Sequence, residues 1–225
     1  MTDYYLKNSK FYVAVDCIIF GLNNGELSIL LTKRRFEPEK GKWSLMGGFV
    51  GENESVDEAA QRVLTDLTGL TNVYMEQLGA FGAIDRDPGE RVVSVAYYAL
   101  INFDELDRRA VEEHDARWIG INEIPQLGFD HPLMISKALK ALRERFTTSP
   151  IVFNLLPKLF TLSQLQSLCE AILGEEIDKR NFRKRVTDLK CIQPTEFIDK
   201  SSSKRGARLH RFSDTTYQLD HKFKI

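Results

Sequence analysis

The stretch GGFVGENESVDEAAQRVLTDLTGL, residues 47–70, holds the local signals that decide the fold of this chain. Ser55 followed three residues later by Glu58 is the capping-box pattern that begins a helix. Apolar residues then recur at helical spacing at Val56, Ala60, Val63 and Leu67. Gly69 follows as a helix stop, because glycine readily adopts the left-handed conformation found there. The stretch therefore predicts a glycine-rich extended segment, a loop and a capped helix.

The residues around this helix predict an α+β domain. The runs FYVAVDCIIFGL (11–22) and GELSILLTKR (25–34) are typical of two strands joined by a turn at Asn23-Asn24-Gly25, since Asn-Gly is a strong hairpin signal. Residues 92–103 predict a further strand, and residues 131–146 predict an amphipathic helix. Pro150 disfavours continuation of that helix. We therefore predict one domain at residues 1–147 and a second at 148–225.

The second domain has the element order of a winged helix-turn-helix. TLSQLQSLCEAILG, residues 161–174, predicts a helix with Thr161 as its N-cap and Gly174 as its stop. Another helix begins after Asp178, and two short strands flank the basic loop SSSKRGAR, residues 201–208. With a short apolar helix predicted before Thr161 in IVFNLLPKLF, residues 151–160, the order is helix, helix, basic helix and basic hairpin, which is typical of winged helix DNA-binding domains.

The net charge of −1 hides two parts of opposite sign. Residues 148–225 carry 14 Lys and Arg against 9 Asp and Glu, a net charge of +5. The preceding residues carry 17 against 23, a net charge of −6. A basic part on an acidic body suggests a polyanion as partner. A solvated basic surface explains the same charge, so charge alone leaves both interpretations open.

Membrane and secreted classes are disfavoured. No apolar run approaches the ~20 residues that span a bilayer, and the first ten residues lack the apolar core of a signal peptide. The three cysteines, Cys17, Cys169 and Cys191, are far apart and odd in number. We therefore expect a cytoplasmic protein with buried free thiols, no membrane partner and no cysteine metal site.

Residues 48–70 resemble the Nudix box, the motif of hydrolases that split a diphosphate linked to another group. The positions in register are Gly48, Glu54, Arg62, Leu64, Gly69 and Leu70. Asp66 takes the first position of the paired glutamates, whereas Val63 and Leu67 replace the two other carboxylates. Similar segments before and after the box extend the resemblance over most of residues 10–146. It implies a Nudix-type α/β/α sandwich with a mixed sheet.

The departures from this motif remove its chemistry. Nudix hydrolases use Mg²⁺ or Mn²⁺, hard cations that need several oxygen ligands. Val63 and Leu67 lie on one helical face, and we expect both side chains in the core. The short carboxylate of Asp66 and the isolated Glu54 make a poor site for a divalent cation. We therefore predict no catalytic residues, no bound metal or other cofactor, and no significant hydrolysis.

We expect the cleft of this fold to persist as a binding site for a small molecule. Five residues are candidates for contacts to that ligand: Lys42, Trp43, Glu54, Asp66 and Glu113. Carboxylates, a lysine and an aromatic ring suit sugar hydroxyls, although a solvated charge or a salt bridge explains each charged residue equally well. For Arg62 we expect a structural role, holding a carboxylate or a loop carbonyl.

The basic helix after Asp178 is the candidate DNA-reading element. One of its sides carries the apolar residues Phe182, Val186 and Leu189, which should pack inward. Asn181 and Arg183 are candidates for base contacts, because such side chains form paired hydrogen bonds to base edges. Further candidates, chiefly for the DNA backbone, are Gln164, Lys179, Arg180, Lys184 and Arg185 in the helices and Lys204, Arg205 and Arg208 in the wing.

A degenerate Nudix domain followed by TLSQLQSLCEAILGEEIDKRNFRKRV (161–186) and KRGARLHRF (204–212) closely resembles the Nudix-related transcriptional regulators. This resemblance implies a repressor that binds palindromic, double-stranded operator DNA as a homodimer and releases it when a small molecule occupies the Nudix domain. One branch of the family senses ADP-ribose and regulates NAD metabolism. Another, the AraR branch, senses L-arabinose and regulates carbohydrate metabolism. Overall similarity favours the arabinose-responsive branch.

Three alternatives stay open. The first keeps the regulator and makes ADP-ribose its effector. The second is a metal-dependent hydrolase of nucleoside diphosphate sugars, which needs a carboxylate from outside the motif, such as Glu112 or Glu113. The third is a DNA-binding scaffold that responds to no ligand. Hydrolysis assays and ligand titrations discriminate among them.

Overall fold

The computed structural model describes residues 6–23, 25–102, 113–146, 148–200 and 206–220. The predicted turn residue Asn24, the wing residues Lys204 and Arg205 and the candidate carboxylate Glu112 lie outside the described residues. Within the described part of the chain, no helix is long and apolar enough to cross a membrane.

The described elements form two groups along the chain. The strands are β1 Tyr12–Asn23, β2 Glu26–Lys33, β3 Trp43–Ser44, β4 Met46–Phe49, β5 Tyr74–Phe81, β6 Val92–Ile101, β7 Ala116–Gly120, β8 Phe160–Thr161, β9 Ile192–Asp199 and β10 Ala207–Phe212. The helices are α1 Val56–Thr68, α2 His131–Phe146, α3 Leu162–Leu173, α4 Lys179–Asp188 and α5 Asp214–Asp220, with a 3-10 helix at Pro150–Leu155. Strands β1 to β7 form one sheet, and β8 to β10 form a second.

Strand β1 is the centre of the larger sheet. It runs parallel to β6 and antiparallel to β2 and β4. Strand β5 extends the sheet beyond β6, while β3 and β7 pair with β2. Because β1 has parallel and antiparallel neighbours, the sheet is mixed, as predicted.

Alternation along β1 gives each side of the sheet its own core. Val15, Cys17 and Ile19 pack with α1 on one side. Ile18 and Phe20 pack with α2 on the other. Successive side chains of a strand point to opposite faces, so odd and even residues of β1 separate in this way. The predicted α/β/α sandwich is therefore confirmed.

The second group of elements is a winged helix. Helix α3 begins at the capping box of Thr161 and Gln164 and ends at Gly174, whose φ is 77°. Helix α4 begins at Asp178, whose side chain accepts the N–H of Asn181. Strands β9 and β10 form the antiparallel wing, and the two-residue β8 pairs with β10. These helix ends confirm the predictions from local sequence.

One apolar cluster joins the winged helix to the sandwich. Leu142 and Phe146 of α2 belong to the same buried cluster as Phe20 of β1 and as Leu165 and Leu168 of α3. The 3-10 helix after α2 contributes further buried residues to it. The second group of elements therefore packs on one face of the larger sheet and shares its core.

Strand β5, helix α5 and the two-residue strand β8 were not anticipated from the sequence. Strand β5, with the sequence YMEQLGAF, has mostly half-buried positions and a register shift between Gln77 and Gly79. It lacks the clean alternation that identifies a strand. Helix α5 has only seven residues, too few for an apolar period to stand out. The conformations of β5 and α5 therefore depend on contacts with neighbouring elements, because neither segment has a strong local pattern.

The shared core makes a specific prediction about stability. Phe146 is 1% exposed, and Phe146→Ala should lower the free energy of unfolding by ~3–5 kcal/mol through lost burial and a new cavity. Leu133→Ala is the matched control on the same helix, because Leu133 is 51% exposed and should change stability by less than ~0.5 kcal/mol. Denaturant unfolding followed by circular dichroism measures both, and we expect a single transition. Two separate transitions, only one of them shifted, would contradict a shared core.

Candidate functional site

A cleft of about 560 Å³ opens beside β1, β4 and the segment that follows β2. Its charged lining residues are the cations Lys33, Arg34, Arg35 and Arg86 and the carboxylates Asp16, Glu37, Asp87 and Glu113. Aromatic rings of Phe36, Phe49 and Phe129 complete the walls. A concave site with fixed charges and aromatic surface is suited to binding a small polar molecule.

The floor of the cleft holds a buried ion network centred on Arg86. Its guanidinium donates to Asp130 from Nε at 3.2 Å and from Nη2 at 2.9 Å, and Nη2 also donates to Asp16 at 3.2 Å. The hydroxyl of Ser94 donates to the same oxygen of Asp16 at 2.6 Å. The side chain of Arg86 is 4% exposed. A cation so deeply buried is tolerated because these oxygens surround it.

His131 joins the network from the first turn of α2. Its Nδ1 accepts the backbone N–H of Leu45 at 3.1 Å, and its Nε2 lies 3.4 Å from Oδ1 of Asp16. Because Nδ1 faces the N–H of Leu45, Nε2 is the ring nitrogen that can donate toward Asp16. The ring therefore ties the segment between β3 and β4 to strand β1.

Opposing effects set the pKa of Asp16. Burial raises the pKa of this carboxyl group, but attraction to His131, hydrogen bonds from His131 and Ser94, and the charge of Arg86 together lower it below its ordinary value. Asp16 is therefore ionised at neutral pH. Its negative charge in turn holds Arg86 at the floor of the cleft.

The floor also depends on a glycine. Gly47 of β4 lies opposite Asp16 in the register of β1 and β4. A Cβ at Gly47 would collide with Oδ1 of Asp16 and lie 2.7 Å from the carbonyl oxygen of Val15. Glycine is the residue that permits this close approach. The first glycine of the quoted stretch thus makes room for the buried carboxylate.

The mouth of the cleft carries a stacked cation. The guanidinium carbon of Arg34 lies 4.5 Å from the ring centroid of Phe36 and 4.8 Å from that of Phe129. Its Nε donates to the carbonyl oxygen of Pro38 at 2.8 Å. Phe36 is 65% exposed. The two rings and one hydrogen bond therefore fix a positive charge at the entrance beside an aromatic surface that solvent reaches.

Helix α1 presents an apolar face where the Nudix motif places carboxylates. Val63 is 6% exposed and Leu67 is fully buried. Both belong to the cluster that includes Cys17 and Ile19 of β1, so their predicted place in the core is confirmed. Asp66 is exposed. Among the described residues, no three His, Cys, Asp or Glu side chains come together as a metal site.

Arg62 has the structural role predicted for it. It donates to the two carboxylate oxygens of Glu54 at 2.6 and 3.0 Å and to the carbonyl oxygen of Phe49 at 3.1 Å. The N–H of Gly51 donates to Glu54 at 2.7 Å. The hydrogen bonds from Arg62 and Gly51 lower the pKa of Glu54 to about 2. This ion pair braces the loop that precedes α1.

Glu113 lines the cleft, whereas four other candidate ligand residues lie outside its lining: Lys42, Trp43, Glu54 and Asp66. Lys42 is paired with a neighbouring glutamate. Trp43 packs against the larger apolar cluster. The register of the motif directed attention to the surroundings of a metal site, but the open cavity lies across β4 from that helix face.

The residues at the floor of the cleft were missed from the sequence. Asp16 gave one usable signal, because it is the single charged residue in the apolar run YVAVDCIIFGLN of β1, and a buried charge demands a partner. Arg86, Asp130 and His131 gave none. They lie 70 or more residues further along the chain, and only the folded sheet brings them to Asp16.

Helix α4 exposes a continuous basic surface. Phe182 and Val186 are buried, which leaves the polar side free, and all of its candidate DNA residues are exposed: Lys179, Arg180, Asn181, Arg183, Lys184 and Arg185. None of these basic side chains forms a salt bridge with a described carboxylate. Unpaired cations on one helix face are available to phosphates.

The two remaining described DNA candidates differ in their surroundings. The side-chain oxygen of Gln164 accepts the N–H of Thr161 at 2.7 Å, so this side chain caps α3. Arg208 is exposed near the start of β10, opposite Ile198 of β9. The structure therefore places one candidate in a helix cap and the other beside the basic loop of the wing.

The ion pair of Glu54 with Arg62 predicts a pH-dependent effect. Glu54→Gln should lower the free energy of unfolding at neutral pH, because the pKa of Glu54 falls from an ordinary 4.5 to about 2 on folding. The stabilisation is complete above pH 4.5 and is lost as the pH falls toward 2. Denaturant unfolding across this range measures it, with Glu52→Gln in the same loop as the matched control. A deficit that stays constant from pH 4.5 downward would contradict the assignment.

Two family models match the chain, one over each group of elements. The NUDIX domain matches residues 10–138, and the NrtR DNA-binding winged helix domain matches residues 152–212. The chain is 35% identical over 214 residues to the ADPR responsive transcriptional repressor NtrR of Acinetobacter baylyi. That match covers 92% of this chain and 84% of the relative.

Solved structures similar to this one include two that contain DNA or ADP ribose. NrtR of Shewanella oneidensis complexed with a 27mer DNA has a TM-score of 0.81 and 28% identity, over 95% of this chain and 97% of that chain. The NUDIX domain of the same protein complexed with ADP ribose has a TM-score of 0.51 and 26% identity, over 63% of this chain and 97% of that chain.

These relatives confirm the predicted combination of domains and correct the predicted branch. The ligand in their names is ADP-ribose, so the assignment to the arabinose-responsive branch is not supported. Matches over both domains, together with a relative that is 35% identical over nearly the whole chain, show that the chain belongs to the Nudix family and, within it, to the NrtR regulators that join a Nudix domain to a winged helix.

Proposed function

We propose that this chain is a transcriptional repressor that binds double-stranded operator DNA as a homodimer and releases it when its Nudix domain binds ADP-ribose. The observation that carries the proposal is a charged cleft beside helix α1, in which the positions that hold metal-binding carboxylates in the Nudix motif are occupied by buried apolar side chains. ADP-ribose replaces L-arabinose as the expected effector. The names of the similar proteins support this choice, since they combine DNA binding with ADP-ribose.

The geometry favours binding of ADP-ribose over its hydrolysis. Hydrolysis of a diphosphate in this family requires a divalent cation to neutralise developing charge and activate water. Val63 and Leu67 fill the face that should hold that cation, and both are buried against β1. Transfer of a cation from water to this apolar surface is unfavourable, and the single exposed carboxylate of Asp66 cannot compensate for the lost hydration. We infer that the chain is not an enzyme.

The cleft matches the chemical parts of ADP-ribose. Lys33 and Arg34 supply positive charge for a diphosphate. The exposed ring of Phe36 offers a surface on which adenine can stack. The carboxylates of Glu37 and Glu113 can accept hydrogen bonds from ribose hydroxyls. A neutral pentose has no charge to match these cations and would fill only part of a cleft of about 560 Å³.

Helix α4 supplies the DNA-reading surface in this proposal. We assign base contacts to Asn181 and Arg183, whose side chains can pair with base edges. We assign phosphate contacts to Lys179, Lys184 and Arg185, which are exposed cations. A palindromic operator requires two such helices ~34 Å apart, which one chain cannot provide and a homodimer can.

Titration of ADP-ribose into a complex of the protein with DNA tests the function. The probe is a duplex that the wild-type chain selects from random sequence. We expect ADP-ribose to weaken DNA binding and L-arabinose to leave it unchanged. We also expect ADP-ribose to be recovered intact after incubation with the protein and Mg²⁺ or Mn²⁺. Unchanged DNA affinity at saturating ADP-ribose, or turnover of ADP-ribose, would contradict the proposal.

A pair of variants locates the binding site for ADP-ribose. Arg34→Met removes the stacked cation and keeps its aliphatic stem, so calorimetry should show at least about tenfold weaker binding of ADP-ribose, the loss expected for a charged hydrogen bond. Lys40→Met in the same loop is the control, because Lys40 is exposed and does not line the cleft. Equal affinities in the two variants would place the ligand elsewhere.

Salt dependence tests the DNA surface of α4. Lys184→Ala should weaken DNA binding for all sequences and reduce the slope of log affinity against log salt by ~1, because one phosphate contact is lost. Lys140→Ala is the control, since the side chain of Lys140 is 78% exposed on α2 of the Nudix domain. Filter binding over a range of salt concentrations measures both slopes. Identical slopes for the two variants would show that Lys184 contacts no phosphate.

A further inference from the structure

Helix α2 is fixed to the cleft at its first turn. The carbonyl oxygen of Asp130 accepts the N–H of Leu133 at 3.0 Å and of Met134 at 3.2 Å, so the helix starts from this residue. The carboxylate of Asp130 is bound by Arg86, and the next residue, His131, reaches both Asp16 and Leu45. The beginning of α2 is therefore part of the cleft floor.

The last turns of α2 are fixed to the winged helix. Nε of Arg143 donates to the carbonyl oxygen of Ile172 at 2.8 Å. Ile172 lies in the final turn of α3, where carbonyl groups have no donor within their own helix. Leu142 and Phe146 are buried in the same apolar cluster as Leu168. Arg143 thus adds a directional bond to a contact that is otherwise apolar.

The turn between α3 and the basic helix α4 is bound to side chains of α3. Nε2 of Gln166 donates to the carbonyl oxygen of Ile177 at 3.0 Å, and the N–H of Ile177 donates to Glu170 at 3.0 Å. Both partners of Ile177 are on α3, and Asp178 then begins α4. Because the turn is held at its end by side chains of α3, a displacement of α3 carries α4 with it.

We propose that α2 transmits occupancy of the cleft to the DNA-reading helix, and that Arg143 is the residue that positions α3 on α2 for this purpose. The inference rests on the proposed function. A helix of 16 residues spans ~24 Å, enough to link the two sites as one rigid element. A ligand in the cleft meets Arg86 and His131, the groups that hold the first turn of α2, so its contacts differ when that turn shifts.

The experiment compares DNA affinity with and without saturating ADP-ribose in the wild type and in Arg143→Met. Methionine keeps the apolar stem and removes the donor to Ile172. We expect calorimetry to give both proteins the same affinity for ADP-ribose, while the ratio of DNA dissociation constants falls at least fivefold in the variant, toward one. Coupling between sites in proteins is typically roughly 5–150-fold, so such a fall is measurable. A residue with only a structural role would lower the melting temperature without changing this ratio.

Lys140→Met is the matched control, because it removes a cation from an exposed position on the same helix and should keep the wild-type ratio. Arg143→Leu is a second replacement with the same expected loss, used if circular dichroism shows that Arg143→Met is unfolded. A wild-type ratio of one would overturn the proposed function and this inference together. A wild-type ratio that differs from one and is kept by the folded Arg143 variants would overturn the inference alone.

Discussion

Strand β1 is buried on both of its faces. Its two faces separate the apolar surface of α1, which replaces the metal-binding carboxylates of the Nudix motif, from the charged cleft. Cys17 and Ile19 form an apolar wall toward α1, a wall that accommodates Val63 and Leu67 and excludes a hydrated cation. Asp16 points to the opposite side and needs positive charge and hydrogen-bond donors there. One domain can therefore hold an apolar helix face and a charged cleft, because successive residues of β1 point to opposite sides of the sheet.

The charges of the cleft divide by burial into two kinds. The positive charge of Arg86 on the floor is neutralised by Asp16 and Asp130, so it adds little attraction for an anionic ligand. Removing one partner from such a network would leave an uncompensated buried charge, so these side chains stay together. Lys33 and Arg34 lie nearer solvent and retain capacity for an anionic ligand. The floor thus gives the cleft a preorganised shape, and the mouth supplies the charge that attracts an anionic ligand.

The sequence specified the elements whose signals are local and left out the contacts that only the sheet creates. The capping box at Ser55, the caps of α3 at Thr161 and of α4 at Asp178, and the apolar face of α1 follow from spacing within one turn or two. The cleft floor joins Asp16 to His131 across 115 residues, and no periodicity records that distance. Among the candidate ligand residues, Glu54 and Asp66 belong to the loop and helix of the motif, Lys42 and Trp43 lie at β3, and only Glu113 lines the cleft.

The shared core limits how a ligand can alter DNA binding. Phe146 and Leu165 lie in one close-packed cluster with the sheet, so the winged helix cannot move as an independent body, and interiors of this density transmit displacement. A ligand shifts an equilibrium only through groups whose contacts differ between the two states. The first turn of α2 is such a group, because Asp130 and His131 belong both to the cleft floor and to the helix that reaches α3. Sensing and response therefore require no hinge between domains, only a small movement of one helix that both sites hold.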